Sequence, residues 1–334
     1  MHETNQTDNQ KILLGYGAIS QLPKEISNLG AKKILLVTSA DSFEESGARQ
    51  AIKDLHIEER LIYFDNFSVN PKIEDALGAC RLFSEDGIDL IIAIGGGSSI
   101  DMAKIINVIQ TDPKKAALLA TGENRVNSPL LPLIAIPTTA GTGSESTHFA
   151  VVYVEEKKYS LAHKNVLPVV AILDPTFTLS APPYLMACTG FDALSQAVES
   201  LWASAATESS RALSRKAISL VLDNLASAIA RPDDKEHRLS LMKAANMAGQ
   251  AINVSKTTAP HAISYPLTSF FNVPHGHAVA LTLGKFFELN MHIASLISDE
   301  DKRRRILNTL EEYPSLFKVD SIEECGEFWY DYMN

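Results

Sequence analysis

Five short apolar runs, each ended by small or polar residues and followed by an amphipathic stretch, restrict the first half of this chain to a parallel α/β sheet. They are Ile34-Leu35-Leu36-Val37 before Thr38-Ser39-Ala40-Asp41-Ser42, Leu61-Ile62-Tyr63-Phe64, Leu90-Ile91-Ile92-Ala93-Ile94, Leu133-Ile134-Ala135-Ile136 before Pro137, and Ala171-Ile172-Leu173 before Asp174-Pro175. Continuous runs, in place of alternation, mark strands buried on both faces, as in a parallel sheet covered by helices. After Pro182-Pro183 the texture changes to helical periodicity over 192–203, 210–230 and 238–251, with 231–236 reading as a solvated turn. A length of 334 residues exceeds what one core usually supports. The predicted organisation is an α/β domain over 1–180 and a helical domain over 181–334.

The third run leads directly into Gly95-Gly96-Gly97-Ser98-Ser99-Ile100-Asp101-Met102-Ala103-Lys104. Glycines admit a close backbone approach, and the N–H groups and dipole of a following helix favour an anion, so a phosphate fits there. A tight strand-to-helix turn needing positive φ is the competing explanation. The fourth run ends in Pro137-Thr138-Thr139-Ala140-Gly141-Thr142-Gly143-Ser144-Glu145, again small residues, hydroxyls and glycines. Two strands ending this way suggest a nucleotide cleft, since open parallel sheets bind ligands outside the carboxyl ends of their strands. Lys104 reads as a helix residue packed near that cleft and not as a catalytic base.

A third of the histidines, His261, His275 and His277, fall within one short stretch, which suggests metal chemistry. Upstream, Asp192 and Gln196 lie four apart in a helical run, share a face, and can complete a mixed oxygen and nitrogen site. Taken alone, Asp192 also reads as a first-turn helix acid capped by Thr189. A net charge of −10 argues against nucleic acid or an anionic membrane as partner. No segment approaches the ~18 consecutive apolar residues of a membrane span. The polar N-terminus shows no secretory signal, and three scattered cysteines fit reduced thiols, so a cytoplasmic protein is expected.

Together these motifs resemble the iron-containing, or group III, alcohol dehydrogenase family. The family's Gly-Gly-Gly-Ser-x-x-Asp-x-x-Lys stands here at 95–104, its Pro-Thr-Thr-x-Gly-Thr-Gly-Ser-Glu at 137–145, and its Asp-Pro before Pro-Pro as Asp174-Pro175 before Pro182-Pro183, with Gly15-Tyr16-Gly17 and Asn70-Pro71 as shorter matches. The resemblance implies a Rossmann-like nucleotide domain followed by an all-helical metal-binding domain, a dehydroquinate synthase-like architecture. It implies a divalent metal, Fe2+ before Zn2+, held by Asp192, Gln196, His261 and His275. Gln196 departs from the family's histidine and is a poorer ligand. Tyr265 departs from a second histidine often found four residues after the first of the late pair. The resemblance implies a cofactor-binding set of Ser39, Gly95, Gly96, Gly97, Ser98, Asp101, Thr138, Thr139, Thr142, Lys158 and Leu179.

The implied reaction is reversible hydride transfer between an aldehyde and a primary alcohol, with NADP(H) or NAD(H). At the end of the first nucleotide-domain strand Ser39 stands where NAD-preferring members carry an acid, so NADPH is expected to work at least as well as NADH, with Asp41 two residues later as the alternative acid for the ribose. Proton delivery is expected through a water relay by way of His277 or Tyr265. Lys256 and its neighbouring threonines are similar to the phosphonoacetaldehyde reductase, or hydroxyethylphosphonate dehydrogenase, branch, where Lys256 would hold a phosphonate. A short-chain alcohol or diol dehydrogenase is the alternative, and a dehydroquinate synthase-type lyase the alternative of another class. A homo-oligomer, most simply a dimer, is expected. Phe328, Trp329, Tyr330 and Tyr332 stand where the family usually continues for several helices, so they are expected to be disordered or covered by another subunit.

Overall fold

All five apolar runs form strands of one sheet. In the computed structural model, which describes residues 3–7 and 10–334, the chain divides into the units Met1–Ala181 and Pro182–Asn334. The first unit carries β1 (Glu3–Thr7), β2 (Gln10–Leu14), α1 (Leu22–Asn28), β3 (Ile34–Thr38), α2 (Ala40–Glu45), α3 (Ala48–Asp54), β4 (Leu61–Phe64), α4 (Ile73–Asp86), β5 (Leu90–Gly95), α5 (Gly97–Ile109), α6 (Ala116–Thr121), β6 (Leu133–Pro137), β7 (Phe149–Val154), β8 (Lys157–Ala162) and β9 (Val170–Leu173). The seven-stranded sheet has the order β1-β2-β9-β6-β5-β3-β4, parallel throughout except for β1.

Both faces of this sheet are covered, which is why its strands read as continuous apolar runs. Leu35, Val37, Ile91, Ala93, Leu133 and Ala135 enter one core with α5 residues, while Ile34, Leu36, Leu90, Ile92, Ile94, Ile134 and Ile136 enter the other. Counted from β3, the order is the 2-1-3-4-5 doubly wound arrangement, whose direction reverses between β3 and β5. The reversal lies where Ser39 follows β3 and where Gly95, Gly96 and Gly97 join β5 to α5. β7 and β8 form a separate antiparallel hairpin.

The second unit carries α7 (Pro183–Trp202), α8 (Glu208–Ala230), α9 (Lys235–Ser255), α10 (Ala259–Phe271), α11 (His275–Leu283), α12 (Lys285–Leu296), α13 (Glu300–Leu310), α14 (Tyr313–Phe317) and α15 (Ile322–Met333). Gly190 has no Cβ to strike Leu225, whose Cδ1 would lie 2.5 Å away, and this fits α7 closely against α8. The C-terminal aromatics correct the expectation of an uncovered end. Trp329 is fully buried, donates Nε1–H to Ala280 O at 2.8 Å and packs edge-on against Phe191; Tyr332 also meets Phe191, and Phe328 packs on Phe317. Their own helical unit supplies enough apolar surface to cover them. Among the described residues no helix is long and apolar enough to cross a membrane.

Candidate functional site

Asp192 lies in the middle of α7, buried. The first-turn reading of it is overturned, because the helix starts at Pro183 and the Thr189 hydroxyl bonds back to Met186 O at 3.2 Å in place of capping. Positions 192, 196 and 199 follow the i, i+4, i+7 pattern, so Asp192, Gln196 and Glu199 share a face, and all three are buried. α10, with Pro260 in its first turn, brings in buried His261, and α11 starts at His275. Gly276 sets the approach of α11 to α7. A Cβ there would stand 1.9 Å from Cys188 O and 2.9 Å from Asp192 Cβ, so the missing side chain is what brings His275 up to Asp192.

Asp192, His261 and His275 each offer a ligand atom, all within 4.8 Å of one another. Between His261 Nε2 and Asp192 Oδ1 the separation is 3.5 Å, close to the ~3.4 Å edge of a tetrahedron of ligands about 2.1 Å from one ion. One carboxylate with two imidazoles suits Fe2+ or Zn2+, so the donor set fits the expected metal. Gln196 reaches the same corner by donating Nε2–H to Asp192 Oδ1 at 3.0 Å. The electrostatics agree. Burial opposes protonation of His261, yet Glu199 and Asp192 outweigh it and push the imidazole up to about 9. Burial likewise opposes ionisation of Asp192, and His261 and His275 still hold its carboxyl below the usual range. This corner stabilises positive charge.

Around the cluster, Tyr265 and His275 have ring centroids 6.4 Å apart, and His277 Nδ1 is hydrogen-bonded to Tyr184 Oη at 2.9 Å, with Tyr184 largely exposed. Lys256 is exposed and caps the C-terminus of α9 in the left-handed region at φ 63°, a conformation uncommon outside glycine.

In the first unit the glycine turn is packed tightly against its neighbours. Gly95 has φ 150°, and a Cβ on it would stand 2.4 Å from Ser99 Oγ; one on Gly97 would stand 2.7 Å from Thr142 Cγ2, and Gly96 faces Thr139. Thr138 donates its backbone N–H to Gly95 O at 3.0 Å and pairs its hydroxyl with Ser42 Oγ at 3.0 Å. Ser39 caps α2 by accepting from Ser42 N–H at 3.4 Å. Leu179 follows β9 at the same carboxyl edge of the sheet, while Lys158 lies on β8.

Asp101 departs from its expected role as a cofactor ligand. Its Oδ1 accepts from the Ser144 hydroxyl and its Oδ2 from Val151 N–H at 2.9 Å, so both oxygens brace the 144–151 segment. Lys104 braces it too. Fully buried, its Nζ donates to Ser144 O at 2.6 Å, Ser144 Oγ at 3.0 Å, Thr147 Oγ1 at 3.0 Å and Phe149 O at 2.9 Å. Burial lowers its pKa to about 8, against the pull of Asp101 and Glu145. Sequence reasoning passed over Glu199 and Tyr184. The i, i+7 step from Asp192 was the available signal for Glu199, and nothing marked Tyr184.

The model of the iron-containing alcohol dehydrogenase matches residues 9–175, and the C-terminal domain of the Fe-containing alcohol dehydrogenase family matches 186–328. Long-chain-alcohol dehydrogenase 1 of Geobacillus thermodenitrificans is 35% identical over 273 residues, 81% of this chain and 69% of its own. An NAD-dependent methanol dehydrogenase of Bacillus methanolicus is 30% identical over 328 residues, 92% of this chain and 86% of its own. Among solved structures, a sulfoacetaldehyde reductase from Bifidobacterium kashiwanohense in complex with NAD+ superimposes with a TM-score of 0.80 at 27% identity, covering 98% of this chain and 97% of that one.

Proposed function

The chain belongs to the iron-containing alcohol dehydrogenase family of oxidoreductases, and from that membership we propose that it interconverts a short aldehyde and its primary alcohol with NAD(H). The observation that carries this reading is the cluster of buried Asp192 and His261 with half-buried His275, in a chain that also holds a glycine turn at the reversal point of its sheet. When bound, a divalent cation supplies Lewis-acid polarisation of the carbonyl oxygen, and the nicotinamide supplies the hydride. Asp192 supplies charge to that site, the two imidazoles supply neutral donors, and Gln196 steadies Asp192. Gly95, Gly96, Gly97 and Ser98 receive the pyrophosphate, with Thr138, Thr139 and Thr142 alongside. His277 moves the proton, and its Nδ1 bond to exposed Tyr184 connects it to solvent; Tyr265, beside His275, is the second candidate. NADP(H) is an acceptable partner because a hydroxyl, Ser39, and no acid stands at the end of β3.

For substrate, we favour an aldehyde with an anionic tail, phosphonoacetaldehyde giving 2-hydroxyethylphosphonate. Lys256 is the cation available five residues before His261, and the sulfoacetaldehyde reductase supports the class, since sulfonate and phosphonate are both tetrahedral anions. A simple short-chain alcohol is the second reading, supported by the methanol dehydrogenase. Dehydroquinate synthase-type chemistry needs basic residues near the metal, and 182–205 contains none.

The test follows NADH oxidation with phosphonoacetaldehyde and with butyraldehyde. Chelation, or His275→Ala, should abolish turnover of both; activity surviving both treatments would overturn the metal-dependent reading. Lys256→Ala should raise KM for phosphonoacetaldehyde about tenfold, a ~1.4 kcal/mol loss, and leave butyraldehyde unchanged. Equal loss for both aldehydes would remove Lys256 from anion binding.

A further inference from the structure

A hydrogen-bonded chain runs from Trp202 to His261 with its direction fixed at the start. The Trp202 indole can only donate, and its Nε1–H goes to Thr258 Oγ1 at 2.9 Å. The Thr258 hydroxyl hydrogen is thereby left for Glu199 Oε2, 2.7 Å away, and the Thr258 backbone N–H donates to the same oxygen. Oε1 of Glu199 remains, and it is bonded to His261 Nδ1. An ionised carboxylate only accepts, so the hydrogen between them belongs to Nδ1. The other ring nitrogen, Nε2, is the one beside Asp192 Oδ1.

We propose that Glu199 is a positioning residue: by accepting from His261 Nδ1–H it keeps that hydrogen on Nδ1 and leaves Nε2 as the nitrogen available to a divalent cation. The proposal rests on the metal-centre reading above and adds to it the residue that makes the imidazole a competent ligand. Glu199 is fully buried and is not among the cluster's ligand atoms, so its effect on the metal passes through the ring it orients. The direction of the chain gives an unusual consequence. In Glu199→Gln, both Thr258 donors face one end of the amide, so the amide oxygen must stay there and its NH2 must turn to His261. Nδ1 then becomes an acceptor, and the ring hydrogen moves to Nε2, toward the metal position. The nearest isostere should therefore be worse than removal of the side chain.

Affinity for Co2+, measured on the full chain by chelator competition, tests this. Glu199→Gln should bind at least about tenfold more weakly than wild type, in line with the ~10–100-fold loss when a partner of a ligating histidine is removed. It should also bind more weakly than Glu199→Ala, whereas loss of charge alone makes the two equal. Binding by Glu199→Gln equal to or tighter than that of Glu199→Ala would overturn the proposal. Should Glu199→Ala not fold, long-range 1H–15N spectra of histidine-labelled protein decide: a hydrogen on Nδ1 of His261 in zinc-loaded wild type and on Nε2 in metal-free, neutral-ring Glu199→Gln is expected, and Nδ1 in both would overturn it. A wild-type protein that binds neither Co2+ nor Zn2+ would overturn the metal centre and this inference together; intact wild-type binding with the wrong variant order overturns this inference alone.

Discussion

Gln196 donates its amide hydrogen to Asp192 Oδ1, and that bond fixes how the residue contributes. An amide nitrogen engaged with a ligand carboxylate steadies the ligand but withdraws density from it, whereas an imidazole at 196 would add a donor of its own. Gln196→His should therefore tighten zinc binding by at least about tenfold, or ~1.4 kcal/mol, as read by chelator competition; unchanged affinity would mean that position 196 does not face the metal. The cluster of Asp192, His261 and His275 was legible because histidines cluster visibly and the acid four residues before Gln196 matched a family pattern. Glu199 was not, because the i, i+7 step from Asp192 places it on the same face but does not say that the face is buried against α10. Asp101 illustrates the opposite error: a motif acid beside a glycine turn reads as a ligand, yet its two oxygens brace the neighbouring segment.

At the scale of elements, the approach of α11 to α7 is set at Gly276. Gly276 stands between His275 and His277, and any side chain there meets the Cys188 carbonyl, backbone that cannot step aside. Gly276→Ala should cost ~3 kcal/mol or more, the upper end for overpacking, and roughly 6–12 °C in Tm for a unit of this size. It should also abolish metal binding, since α11 carries His275. Gly190→Ala meets Leu225, a flexible side chain, and should cost ~1–3 kcal/mol while leaving metal affinity unchanged. Thermal melts with and without Zn2+ separate the two, and a Gly276→Ala protein with full metal affinity would sink the argument. The strands were legible for the same reason that they are stable: two covered faces leave no polar alternation. The β7 and β8 hairpin escaped notice because β7 alternates buried and half-buried positions and its partner β8 is polar and mostly exposed or half-buried, and the start of α7 escaped because Pro182-Pro183 reads as a break, although proline is favoured in a helix's first turn.

Across the whole molecule, the groups assigned to the two ligands divide between the units. Each residue proposed for the cofactor, from Ser39 to Leu179, lies in Met1–Ala181, and each residue proposed for the metal, from Asp192 to His275, lies in Pro182–Asn334. A ligand that binds only the folded form stabilises what it touches by about 2.7 kcal/mol at a hundred times its Kd. Hydrogen exchange should therefore respond in two separable patterns. Zn2+ alone should slow exchange in α7, α10 and α11, where its ligands sit, and leave the amides of α5 unchanged. NAD+ alone should slow the amides at the start of α5 and the segment after β6 without altering α10. The acidic excess of the chain sharpens the contrast, because a net charge of −10 offers the dinucleotide no general attraction, so its protection must come from the glycine turn and the hydroxyls around it. Protection of α5 by Zn2+ alone, or none there with NAD+, would show that the glycine turn is a tight strand-to-helix connection and no phosphate cradle.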